Sequence, residues 1–91
     1  MGAKIKVYAG VISAGFKQHR MIVAATSSHA AIEAIAASTG RRVSMSTFSN
    51  YWTRTSDQLE QRIALSKPGA VFQSSHKDRY DLHEVTASGA P

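Results

Sequence analysis

The 91-residue chain has no cysteine. That excludes a disulfide framework, a cysteine-built zinc site and a thiol nucleophile, and it suits a reducing compartment. A cytoplasmic location is the expectation. There are only two prolines and six glycines, which excludes collagen-like and low-complexity chains. Long hydrophobic runs are missing too. The longest, from Met21 to Ala25, falls far short of the ~20 residues that cross a membrane. The basic start, Lys4 and Lys6, is not followed by an apolar stretch of signal-peptide length, and Lys6 stands where a myristoylation signal takes Ser or Thr. Neither a secretory leader nor a membrane partner is expected.

Acidic residues are scarce in the first part of the chain. Residues 1–56 carry Lys4, Lys6, Lys17, Arg20, Arg41, Arg42 and Arg54 against the single carboxylate Glu33, whereas the remainder is nearly balanced, for a formal net charge of +5. Cations gathered on one face suit phosphates or an acidic protein. Spread over the surface, they only keep the chain soluble.

With 43% hydrophobic residues, the chain can build one modest core. Residues 4–12 alternate, with Ile5, Val7, Ala9 and Val11 on one side and Lys4, Lys6, Tyr8 and Gly10 on the other, as in a half-buried strand. Residues 20–26 form a second strand-length apolar run, so a hairpin is expected. Ser27-Ser28 offers an N-cap to a helix over residues 29–39, Ala-rich with Ile32 and Ile35, and Gly40 closes it. Residues 41–48 alternate Val43, Met45 and Thr47 with polar neighbours and predict a third strand at an edge. An aromatic loop follows over residues 49–54. Thr55 and Gln58 have capping-box spacing and predict a second helix, buried along Leu59, Ile63 and Leu65 and stopped by Pro68-Gly69. Residues 70–74 read as a short strand, residues 75–79 as a polar turn, and Tyr80, Leu82 and Val85 as a final extended segment. The expectation is one α+β domain over residues 1–85 and a frayed tail over residues 86–91. Its order is β-β-α-β-α-β, a largely antiparallel sheet with both helices on one face in two layers.

No catalytic signature is present: no nucleophile elbow, P-loop, dinucleotide fingerprint or HExxH metal motif. Ser44, Ser46, Thr47 and Ser49 are hydroxyl-rich, but the sequence pairs none of them with a base. His29 and Glu33 are one helical turn apart, and His76 and His83 flank Asp78 and Asp81, yet neither group closes a metal ligand set. The reading is a non-enzyme with no metal and no cofactor.

The strongest functional segment is Phe48-Ser49-Asn50-Tyr51-Trp52-Thr53-Arg54, which joins the only Trp to a Tyr and an Arg, the types that enrich binding hot spots. The same types stack bases and meet phosphates in single-stranded nucleic-acid sites. Phe48 is assigned to the core, Tyr51 and Arg54 to the surface, and Trp52 is open between the two. Lys4, Lys6 and Tyr8 on one strand face, with Lys17, His19 and Arg20 after them, outline a second patch. Known RNA-recognition motifs, GxxG clamps and zinc fingers are absent.

Lys6-Val7-Tyr8, then Ile22-Val23-Ala24-Ala25 before a serine and an Ala-rich helix, and Pro68-Gly69-Ala70-Val71-Phe72 resemble short proteins of tailed phages and prophages over roughly residues 4–73. The resemblance implies a host-takeover or counter-defence factor, of which anti-CRISPR proteins are one kind. It carries over no catalytic or ligand residue. The basic charge departs from the acidic surfaces of DNA-mimicking inhibitors. The expected function is thus a non-enzymatic inhibitor that occupies the surface of a host protein or ribonucleoprotein complex, with Tyr51, Trp52 and Arg54 as anchors and Lys17, Arg20, Arg41 and Arg42 steering. The alternative is direct nucleic-acid binding, with phosphates on the cations and bases stacked on Tyr51 and Trp52. A homodimer through an edge strand or the aromatic loop suits so small a core.

Overall fold

The computed structural model describes residues 4–14, 17–40, 42–75 and 81–85. Two nine-residue strands, β1 (Lys6–Ala14) and β2 (Lys17–Ala25), pair antiparallel from Lys6↔Ala25 to Ala14↔Lys17. This is the expected hairpin, shifted by two or three residues. Helix α1 (Ser28–Thr39) then forms with the expected punctuation: the Ser27 hydroxyl accepts from the Ala30 N–H, and Gly40 takes the left-handed conformation at φ 75° that a side chain would oppose.

Beyond Gly40 the structure departs from the expectation. The stretch read as an edge strand is instead a helix, α2 (Met45–Tyr51). The Ser44 hydroxyl accepts from the Thr47 N–H at 3.1 Å and starts it, and burial of Phe48 holds it down. Burial of this one large aromatic side chain overrides the weak alternation of Val43, Met45 and Thr47. The aromatic segment is the end of α2 followed by β3 (Trp52–Arg54). Helix α3 (Gln58–Ser66) is capped by Asp57, whose carboxylate accepts from the Glu60 N–H, rather than by Thr55. Strands β4 (Val71–Gln73) and β5 (His83–Val85) complete an antiparallel sheet of order β3-β1-β2-β4-β5. The expected turn at 75–79 and tail at 86–91 fall mostly or wholly outside the described residues.

The expectation of an α+β domain with an antiparallel sheet holds, but the helices do not share one face. Tyr8, Met21, Val23 and Ala25 point to the side covered by Ala31, Ile32 and Ile35 of α1 and Phe48 of α2. Val7, Ala9, Ile22 and Ala24 point to the opposite side, where Ala64 of α3 packs. The central strands are therefore buried on both faces and the architecture has three layers. The unbroken apolar run Met21 to Ala25 has this cause, since a half-buried strand would alternate. Tyr8, assigned to a solvent face with Lys4 and Lys6, is buried, whereas Ile5 and Val11 are exposed.

The predicted buried edge of the second helix is also corrected. Leu59 and Leu65 of α3 are exposed and Ile63 is partly buried, while Glu60 and Ala64 face the sheet. Ala64 lets the helix approach closely, and Glu60 meets a cation in β2.

Candidate functional site

The site is set by how α2 turns into β3. Trp52 leaves the helix at φ −120°, ψ 139° while its N–H still bonds the Phe48 carbonyl. Phe48 and Trp52, one helical turn apart, stack with ring centroids 5.4 Å apart, and Tyr8 meets Phe48 edge-on, also at 5.4 Å. Gly10, opposite Trp52 in the β1–β3 pairing, leaves room for the indole to lie on the strand. Of the seven residues expected to bind, Trp52 is thus in the core, 5% exposed, and its ring is not a surface anchor. A domain this small places its one indole where the most apolar area is covered. Phe48 is buried as expected.

With Trp52 turned inward, Tyr51 is turned outward and is 69% exposed. Arg54, three residues after Tyr51, is exposed and stands directly opposite Tyr8. Lys6 lies two positions before Tyr8, on the same sheet face, so Lys6 and Arg54 are diagonal neighbours about 7 Å apart in strand geometry. Lys4 is exposed just before them. Neither Lys4, Lys6 nor Arg54 pairs with an acid among the described residues.

The other expected cations are placed differently. Arg20 forms a two-pronged pair with Glu60, from Nε to Oε2 and from Nη2 to Oε1 at 2.8 Å, and the Thr55 hydroxyl donates to the same Oε1 at 2.8 Å. Burial on its own raises the Glu60 pKa, but the hydrogen bonds from Arg20 and Thr55, with the guanidinium charge, outweigh it and hold the carboxyl below its ordinary value. The neighbouring His19 Nδ1 lies 2.9 Å from the Ser74 carbonyl, and the Arg20 N–H donates to the Ser74 hydroxyl. Arg20 is therefore a clamp between α3 and the sheet, not a free steering charge. Arg42 pairs with Glu33, whose carboxyl its hydrogen bond holds below the usual range. Arg42 is exposed but largely neutralised. Lys17 begins β2 with a side chain that is not described, and Arg41 lies outside the described residues.

Nothing in the sequence marked Glu60 as buried or joined Lys6 to Arg54. The first depends on which face of α3 meets the sheet, and the second on β3 pairing with β1. Among the described residues no three His, Asp or Glu side chains gather as a metal site, and His29 stands 3.9 Å from a Glu33 carboxylate already held by Arg42. No described helix is long and apolar enough to cross a membrane. At the β3 side of the sheet, Arg54, Lys6 and Lys4 gather toward the start of β1, and the exposed Tyr51 stands at the opposite end of β3. No protein-family model matches the chain, nor does any curated protein or solved structure.

Proposed function

We propose that the protein is a non-enzymatic binding module that inhibits or redirects a host macromolecular complex by occupying an acidic protein surface on it, with Tyr51 and Arg54 as anchors and Lys6 beside Arg54. The observation that carries this reading is that Tyr51 is 69% exposed three residues before Arg54, which with its diagonal neighbour Lys6 has no acidic partner among the described residues. Arg20, Arg42 and Lys67 each have an acidic partner, whereas Arg62, exposed on α3, has none among the described residues. An exposed aromatic flanked by uncompensated charge is the composition of a hot spot, in which the ring is desolvated and the cations steer the encounter. The phage resemblance supplies the class of partner.

Direct nucleic-acid binding is the second reading, favoured by Lys6 and Arg54 standing together on one sheet face. Burial of Trp52 weakens it, since of the two rings assigned to stacking Tyr51 alone is exposed. Affinity capture from nuclease-treated bacterial lysate tests the first reading. The expected result is a protein retained by the wild type and lost by both Tyr51→Ala and Arg54→Glu. Anisotropy of labelled single- and double-stranded oligonucleotides tests the second. Tight binding that falls steeply between low and physiological salt replaces the first reading with the second.

A further inference from the structure

Among the described residues, the end strands β3 and β5 of the sheet are guarded edges. β3 is three residues long and carries Arg54; β5 is three residues long and carries His83 and Glu84. Shortness and charge are the usual protections of an edge. Residues 11–14 of β1 are a further open stretch, with neither protection. β3 pairs with β1 only as far as Gly10, because the chain before Trp52 is helical, and among the described residues nothing pairs with 11–14 on that side. The sequence there, Val-Ile-Ser-Ala, has no charge and no proline. Val11 is 38% exposed. Arg20, which faces Val11 across the hairpin, has its charge cancelled by Glu60.

Two hydrogen bonds fix which way the free backbone groups point. Thr55 N–H bonds the Val7 carbonyl, so in an antiparallel ladder the odd residues of β1 direct their N–H and C=O toward the β3 side. On the far side of β2, Ser74 N–H bonds the Arg20 carbonyl, so Arg20 faces away from β1 and Val11 cannot be its hydrogen-bonded partner. Both observations leave the amides of Val11 and Ser13 directed outward.

We propose that this edge pairs with the same edge of a second copy of the chain, antiparallel about a two-fold axis at Ile12. In that register Val11 of one copy and Ser13 of the other exchange both N–H···O=C bonds, twice over, and Ile12 meets Ile12. The register is self-complementary, as an isologous contact requires. It also fits the space available: the free stretch runs from the end of the β3 pairing to the hairpin turn after Ala14, room for this overlap and little more. So short an overlap buries less than the about 1,200 Å² of a standard interface, so the dimer is weak and depends on concentration. The inference is independent of the partner proposed above.

Sedimentation velocity from low micromolar to millimolar protein is the test. The wild type is expected to move from monomer to dimer across that range. Ser13→Pro removes an outward N–H that β2 does not use, and Val11→Lys places a charge on the edge; each is expected to weaken dimerisation at least tenfold while the circular dichroism stays native. A wild type that remains monomeric at the highest concentration overturns the proposal, as does a dimer that survives both substitutions. Val11 is exposed, so Val11→Lys decides the matter should Ser13→Pro not fold.

Discussion

The ring of Trp52 lies so close over Gly10 that a Cβ on the glycine would stand 2.6 Å from Cδ2 of the indole. Gly10 is required for this approach and not for an unusual backbone angle, since the positive-φ glycines are Gly40 and Gly69. The indole is held from its other side by Phe48, so it has no easy retreat. Gly10→Ala is therefore expected to cost about 1–3 kcal/mol, the usual penalty of overpacking a filled core. Urea denaturation measures the loss, and a red shift of the Trp52 emission in the native state reports where it arises.

The adjacent residues Tyr51 and Trp52 are expected to separate binding from folding. Trp52→Ala empties the space between Phe48 and Gly10 and should destabilise by about 3–5 kcal/mol. Tyr51→Ala removes a ring that is mostly in water and should change stability by no more than about 0.5 kcal/mol while abolishing partner capture. Thermal melts of the two variants check this. A Tyr51→Ala protein that melts as low as Trp52→Ala removes Tyr51 from the binding surface and places it in the core.

The hairpin, α1 and both of its caps were legible in the sequence because each is specified locally, by alternation, by Ser27 and by Gly40. The interpretation failed where specification is tertiary. Val43, Met45 and Thr47 alternate as a strand does, yet Ser44 is a helix cap, and the Ser44-to-Thr47 spacing was the one local sign of α2. Tyr8 looked like a solvent-facing residue because its neighbours at 6 and 10 are Lys and Gly; what buries it is Phe48, forty positions away. The residues proposed to bind divide in the same way. Tyr51 and Arg54 follow from their place at the end of the aromatic segment, whereas the inward turn of Trp52 depends on a glycine in another strand.

Helix α3 offers a sharper test of the packing. Its two leucines point outward, Ile63 is only partly buried, and the apolar residue fully buried against the sheet is the small Ala64. Leu59→Lys and Leu65→Lys are each expected to alter stability by less than about 0.5 kcal/mol. Ala64→Leu forces the helix away from Val7, Ala9 and Ile22 and is expected to cost about 1–3 kcal/mol. Chemical denaturation of the three variants gives the order. The reverse order returns α3 to the face that the leucines define.

The remaining test concerns Glu60, which is 1% exposed and held by Arg20 and Thr55. Its folded pKa lies below the ordinary value, so its contribution is fully present above the unfolded pKa of about 4.3 and is lost as the pH falls through the folded value. Wild-type stability is thus expected to decline as acid protonates this carboxyl. In Arg20→Met the balance reverses, because burial is then opposed by the Thr55 hydroxyl alone and the folded pKa rises above the unfolded one. The variant is expected to be weaker than wild type by about 3 kcal/mol at pH 7, where it carries a buried unpaired carboxylate. The deficit should shrink toward pH 4, where that carboxylate takes up a proton in the variant while the wild type begins to lose its ion pair. Urea titrations of both proteins at the two pH values measure it. A deficit that is the same at both is evidence that Arg20 acts on the sheet through its aliphatic stem alone, and a deficit that narrows assigns the clamp between α3 and β2 to the Arg20–Glu60 charge pair.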